Sequence, residues 1–160
     1  MDSGTTILEV AKALRNKRNL TVITNDMRIA SELVTFTAHQ VYFIGGLLKK
    51  DDEITGGFLA LDFLKNFNHI DYAVLTADGF IVPNGGIADF NIDMRALKVA
   101  MIERAHRVLV SVDHSKFTLD ALYKVCDIDK LDMVFTGSSA PQESIDILRE
   151  RGVECVLVDC

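Results

Sequence analysis

Six short apolar runs punctuate the chain: Leu20–Ile23, Val41–Ile44, Tyr72–Leu75, Val108–Val112, Met133–Phe135 and Val153–Val158. Each is continuous rather than alternating and rich in β-branched residues, the pattern of strands covered on both faces. Most intervening segments have helical spacing. Ile7, Val10, Ala11 and Leu14 fall at i, i+3, i+4 and i+7, and Leu97, Ala100, Met101 and Ala105 make a second stripe. Near the end, Ser138 and Ser139 precede Pro141, suited to a first helical turn, and Gly152 follows Arg151 as a stop, with Ile145 and Leu148 facing inward. Strand alternating with helix implies right-handed crossovers, so the expected architecture is a three-layer α/β/α fold with a mostly parallel sheet.

In open parallel sheets, ligands sit beyond the carboxyl ends of the strands. Two stretches rich in Gly, Asp and Asn, 45–57 and 77–91, break the alternation there and are candidate ligand loops or ordinary surface connections. No repeat, low-complexity tract or linker interrupts the 160 residues, which are expected to act as one unit. The formal net charge of −6 argues against a large phosphate-backbone footprint on this chain. The three cysteines, Cys126, Cys155 and Cys160, lack C-x-x-C spacing and read as reduced, small apolar residues rather than a disulfide framework or a zinc site. Without a bilayer-length apolar run or a leader pattern, a cytoplasmic protein is expected, with no membrane partner.

The opening Asp2-Ser3-Gly4-Thr5-Thr6 runs directly into the first amphipathic segment. Its hydroxyls and flexible Gly stand where unpaired N–H groups and the positive helix end favour an anion such as a phosphate monoester, although Ser and Thr are also common caps. Asp2 suits orienting the loop or accepting a ligand hydroxyl. A loop of this kind normally hangs from a strand just before it. None is present, so the chain is expected to be part of a longer polypeptide.

Thr24 and Asn25 end the next strand, where Asn25 can donate to a phosphate or sugar oxygen, or Asn25 or Asp26 can cap the following helix. Gly45 and Gly46 close the third apolar segment's predecessor at Ile44 and permit either close backbone approach or a tight turn. Asp78 and Gly79 follow Tyr72–Leu75, then come Gly86 and, in the next helix, Lys98. A strand-end Asp can accept from sugar hydroxyls, and a Lys nearby can neutralise a phosphate or keep that Asp ionised. Asp113-His114-Ser115-Lys116-Phe117 places a carboxylate, an imidazole and an ammonium at one strand end. His39, His69 and His106 show no ligand spacing, so no metal is assigned. Neither G-x-G-x-x-G nor G-x-x-x-x-G-K-[ST] occurs, which disfavours nucleotide cofactors.

The order Asp2-Ser-Gly-Thr-Thr6, Thr24-Asn25, Gly45-Gly46, Gly79, Gly86, Lys98-Val-Ala-Met-Ile102 and Asp113-His-Ser-Lys-Phe117 resembles the C-terminal sensor domain of the DeoR family of bacterial transcriptional regulators, over nearly the whole chain. The resemblance implies a fold similar to ribose-5-phosphate isomerase and the CoA transferases, used to bind a phosphorylated sugar or sugar-derived metabolite rather than convert it. A winged helix-turn-helix domain precedes the sensor in such regulators, so DNA would be contacted only through that part, and a homo-oligomer, dimer or tetramer, is expected.

Carried over by position, Ser3, Gly4, Thr5 and Thr6 resemble the phosphate cradle and Thr24 and Asn25 a second strand-end contact. Lys98 and Lys116 would neutralise ligand charge or orient Asp113, with Ser115 beside them, so that a doubly charged oxyanion is held over the sheet's rim. Asp78 stands where many relatives have a small or hydroxyl residue, which brings the pocket closer to that of the isomerase. The alternative activity is therefore sugar-phosphate isomerisation, with Asp78 or Asp113 as base and Lys98 or Lys116 stabilising an enediolate. A third possibility is a dimerisation module that has lost its ligand.

Overall fold

The structure is a computed structural model that describes residues 1–159; Cys160 lies outside the described residues. Helices alternate with parallel strands in a three-layer α/β fold, as expected, and the chain divides into two compact units, Met1–Asn68 and His69–Cys160.

The first unit contains α1 (Thr5–Ala13), β1 (Thr21–Thr24), α2 (Met27–Phe36), β2 (Gln40–Phe43), β3 (Leu47–Lys49), β4 (Ile54–Gly56) and α3 (Phe58–Leu64). Strands β1 and β2 pair in parallel with Val22 opposite Val41. α1 buries Ile7 and Ala11 one turn apart, and α2 buries Ile29 and Leu33 in the same way. Fully burying an aliphatic side chain of this size stabilises the fold by about 1.5–3 kcal/mol. His39 is buried too. Its Nε2 lies 3.1 Å from the Leu14 carbonyl, and its Nδ1 accepts from the Leu20 N–H at 3.4 Å. The ring thereby pins both ends of the connection from α1 to β1, a structural task that spacing alone does not reveal.

The second unit contains β5 (Ile70–Leu75), β6 (Gly79–Ile81), β7 (Gly86–Asp89), α4 (Ile92–Arg104), β8 (Ala105–Ser111), β9 (Tyr123–Cys126), β10 (Met133–Gly137), α5 (Gln142–Glu150) and β11 (Glu154–Val158). Its main sheet has the order β11-β10-β8-β5, and every neighbouring pair is parallel. Leu75, Val110, Val134, Ile145 and Leu148 are all buried. The strands of Leu75, Val110 and Val134 therefore read as unbroken apolar runs, with Ile145 and Leu148 of α5 among the buried residues of this unit.

All six expected strands are present, with ends shifted by up to three residues. The two Gly-, Asp- and Asn-rich stretches are more ordered than loops. The first holds the antiparallel hairpin β3–β4, and the second holds β6–β7, to which β9 adds antiparallel. Runs of three or four residues with several glycines lack the alternation that marks a strand, so their hairpin character is set by main-chain pairing. Gly86 shows the constraint: its φ is +69°, and a β-carbon there would collide with the Cys126 carbonyl of the neighbouring strand. No helix among the described residues is long and apolar enough to cross a membrane.

Candidate functional site

In the first unit the Ser3–Thr6 turn is built against the carboxyl end of β1. Gly4 sits at φ +111°, outside the range comfortable for other residues, and this lets the chain turn sharply into α1. Beside it, the Met1 main-chain nitrogen donates to the Ile23 carbonyl at 2.6 Å. α1 receives no side-chain cap, and its first turn contains no acidic residue. The first internal bond is Leu8 N–H to the Gly4 carbonyl, at 3.0 Å. The N–H groups of Thr5, Thr6 and Ile7 are thus left at a positive helix end without a protein acceptor among the described residues, flanked by the hydroxyls of Ser3, Thr5 and Thr6.

Gly4 itself is held by Asp26, the residue that organises this end of the unit. The Gly4 N–H donates to Asp26 Oδ2 at 3.1 Å. Oδ1 accepts the main-chain N–H groups of Arg28 and Ile29 at 2.8 and 3.3 Å, so Asp26 caps α2. The Arg28 guanidinium closes a fork on the same carboxylate, with Nε 3.1 Å from Oδ1 and Nη2 2.6 Å from Oδ2. Burial alone pushes the Asp26 carboxyl pKa up, but the Arg28 hydrogen bonds, the Gly4 N–H and the Arg28 charge outweigh it, and the group is held below the usual aspartate range. The sequence offered Asp26 as one of two candidate caps for this helix, and the structure gives it that role; its bonds to Gly4 and to the Arg28 guanidinium were not foreseen. An Asp followed two residues later by Arg at a strand end was the available signal.

Thr24 and Asn25 are buried immediately before Asp26. The Thr24 hydroxyl accepts from the Asp26 N–H at 3.2 Å. Asn25 Nδ2 donates to the Thr55 carbonyl at 2.8 Å, and the Thr55 N–H donates back to the Asn25 carbonyl at 2.9 Å. The Thr55 hydroxyl also donates to the Ile44 carbonyl. These bonds lock β4 to the ends of β1 and β2, and they give Asn25 a structural partner where a ligand contact was expected. Asp2 is buried, whereas Gly45 and Gly46 are exposed in the link from β2 to β3.

The second unit carries its own strand-end group. Asp78 follows β5; its Oδ2 accepts the Phe90 N–H at 3.1 Å, and its own N–H donates to the Ala88 carbonyl at 3.1 Å. Gly79 is buried at the start of β6 and Gly86 at the start of β7, so both serve the hairpin. Lys98 lies on α4 and forms a buried ion pair with Asp89, Nζ to Oδ2 2.6 Å, with the two side chains 5% and 4% exposed. Asp89 Oδ1 accepts the Asn91 N–H at 2.8 Å. Lys98 is thus paired with Asp89, a partner absent from the sequence reading, which named the ligand, Asp78 and Asp113.

Asp113 is exposed at the end of β8 and caps the short helical turn His114–Thr118, accepting the Ser115 N–H at 2.7 Å. Hydrogen bonds from the Ser115 side chain and N–H, with Lys116 and His114 nearby, hold its carboxyl below the usual range despite some desolvation. Lys116 is half-buried in that turn. Among the described residues no group of three or more His, Cys, Asp or Glu is placed to hold a metal ion.

Comparison with known proteins agrees with this arrangement. The family model described as the DeoR C terminal sensor domain matches residues 1–138. The chain is similar to the putative aga operon transcriptional repressor of Escherichia coli O157:H7, 32% identical over 99% of this chain and 58% of that protein. It is 37% identical to the transcriptional repressor AccR of Agrobacterium fabrum, over 86% of this chain and 53% of that protein. It is 31% identical to the glycerol-3-phosphate regulon repressor of Escherichia coli K12, over 98% of this chain and 62% of that protein. The chain thus spans between half and two thirds of the length of these relatives. With the match running from the Ser3–Thr6 turn past β10, the chain belongs to the family of DeoR C-terminal sensor domains.

Proposed function

We propose that this chain is the effector-sensing part of a transcriptional repressor, and that it binds a phosphorylated sugar or sugar-derived metabolite whose occupancy changes DNA binding by a winged helix-turn-helix domain elsewhere in the polypeptide. The observation that carries this reading is the uncapped N-terminus of α1, with three hydroxyls around it and the Asp26–Arg28 pair behind it. The pair is close to neutral as a unit, so the Asp26 carboxylate does not repel a second anion as an isolated charge would. The name of one relative, the glycerol-3-phosphate regulon repressor, contains a phosphorylated metabolite and supports the same ligand class.

Hydrogen bonds to a charged group contribute about 1.5–3 kcal/mol each, and a helix N-terminus adds about 0.3–2 kcal/mol for an anion. Two such bonds with the helix term give on the order of 5 kcal/mol, a dissociation constant in the upper micromolar range before the rest of the ligand is counted. A regulatory switch needs only a difference in affinity between two arrangements, with coupling of about 1–3 kcal/mol. A homo-oligomer is part of this reading, because a palindromic operator is met by paired copies.

Isothermal titration with a panel of three- to six-carbon sugar phosphates tests the proposal. Saturable binding by one of them, weakened about tenfold or more by Thr5→Val, is the expected result. If no phosphorylated compound binds, or if Thr5→Val binds like the parent, the anion is not at α1. The naming of the relatives as repressors favours sensing over isomerisation.

A further inference from the structure

The open edge of β2 offers a surface for the homo-oligomer that the proposed sensing role includes, and the inference drawn from it rests on that reading. β2 pairs with β1 on one side only. The N–H groups of Gln40 and Ile44 donate to the Leu20 and Thr24 carbonyls, so even-numbered residues turn their main-chain groups toward β1. Those of Val41 and Phe43 then point outward, where no hydrogen bond meets them among the described residues. Native edge strands are usually guarded by a charge, a Pro or a bulge. Here none is present: from Val34 to Leu48 there is no Lys, Arg, Asp, Glu or Pro.

The side chains flanking this edge are apolar. Met27, Ala30 and Val34 fall at i, i+3 and i+7 on α2; Met27 is 43% and Val34 66% exposed. Met27, Ala30 and Phe43 line a shallow apolar depression of about 200 Å³, which places that helix face beside the strand edge. On the opposite pleat Tyr42 packs edge-on against Phe67, ring centroids 5.6 Å apart, and stays 37% exposed. Taking about 150–250 Å² for a large side chain, Met27, Val34, Tyr42 and Phe43 expose roughly 350 Å² of apolar surface together. Spread over both faces of the strand edge, that area suits the apolar centre of a standard half-interface of about 800 Å².

We infer that β2 pairs antiparallel with β2 of a second copy about a two-fold axis at Tyr42. The edge is self-complementary in that register. Val41 would lie opposite Phe43 of the partner and Phe43 opposite Val41, giving two hydrogen-bonded pairs and four main-chain bonds. The two α2 helices would meet through Met27, Ala30 and Val34 on one face of the joined sheet. A second copy satisfies both rows of outward groups with identical chemistry, and the absence of charge along the edge means that like charges never meet across the axis.

The register makes a specific prediction. Tyr42 would face its own symmetry mate as a non-hydrogen-bonded pair, with Cα atoms about 4.5 Å apart, within the roughly 4.4–6.8 Å span of a disulfide. The full chain should therefore sediment as a dimer at tens of micromolar, and Tyr42→Cys should give a covalent dimer under mild oxidation while Gln40→Cys, off the axis, should not. Phe43→Lys and, independently, Val34→Glu should each weaken self-association by about tenfold or more with the circular dichroism spectrum retained. Val34 is exposed enough that its variant tests the surface even if Phe43→Lys fails to fold. A monomer throughout the accessible concentration range overturns the proposal, as does a dimer that survives Val34→Glu with no Tyr42→Cys cross-link. Both outcomes leave phosphate binding at α1 untouched, so failure of the interface is distinguishable from failure of ligand binding.

Discussion

Replacing Asp26 by Asn removes one charge and almost no volume, and the structure sets the size of the effect. The carboxylate accepts five hydrogen bonds, from Gly4, the Arg28 and Ile29 main-chain N–H groups, and two guanidinium nitrogens. If the Asn oxygen keeps the cap on α2, its NH2 group faces the Gly4 N–H and Arg28 Nη2, donor against donor. Two charge-assisted bonds are lost at about 1.5–3 kcal/mol each. Because Arg28 is 33% exposed, water recovers part of its share, and the expected net destabilisation is about 2–4 kcal/mol. With a urea m-value of about 2 kcal/mol/M, the unfolding midpoint should fall by about 1–2 M. Equilibrium urea denaturation followed by circular dichroism measures this directly. The same substitution should loosen the Gly4 turn and weaken phosphate binding at α1. A midpoint within about 0.3 M of the parent would refute the idea that Asp26 organises this end of the unit.

Acid provides a second probe of the same group. The folded Asp26 and Asp113 carboxyls both titrate below the ordinary 3.8, so their contribution is complete above that value and is lost as pH falls below it toward the depressed folded pKa. Urea midpoints measured between pH 6 and pH 3 should therefore fall on acidification, and Asp26→Asn should show the shallower fall. In the second unit, Lys98→Met leaves the Asp89 carboxylate buried without its ammonium and should cost about 3–5 kcal/mol, while the double change with Asp89→Leu should recover part of that loss in a thermal melt. Burial, with Asp127 beside it, pushes the Cys126 thiol up to about 12, so it should react with a disulfide reagent at pH 8 far more slowly than a free thiol.

The strands of the parallel sheet were legible because being covered on both faces writes itself into the sequence as unbroken apolar runs. Leu75, Val110 and Val134 are buried where those runs place them. The hairpins were not legible. β4 is Ile-Thr-Gly and β7 is Gly-Ile-Ala-Asp, segments whose strand character depends on neighbours far away in sequence. At the candidate site, Ser3–Thr6 was readable because a hydroxyl-rich Gly turn before an amphipathic stripe has a local physical meaning. The Asp26 cap was readable as one of two candidates, but its bond to Gly4 and the Asp89–Lys98 pair were not, because each depends on a partner: Gly4 lies 22 residues from Asp26, and Lys98 lies nine from Asp89. His39 was passed over for the same reason, since its work is to hold Leu14 and Leu20 at the two ends of the α1–β1 connection.

These pairings also bear on why such a scaffold would bind a sugar phosphate without turning it over. A general base needs a carboxylate whose lone pairs are free to reach a substrate proton. Asp26 is committed to Gly4, Arg28 and Ile29, Asp78 to Phe90, Asp89 to Lys98 and Asn91, and Asp113 to Ser115. What such commitments provide instead is rigidity, with Asp26 fixing the Gly4 turn so that the N–H groups of α1 are already aimed when an anion arrives. Preorganised donors and occupied carboxylates favour affinity and selectivity over proton transfer. A sensor requires the first two, and on this reading the residue that prepares the anion site for them is Asp26, through the bonds it already makes.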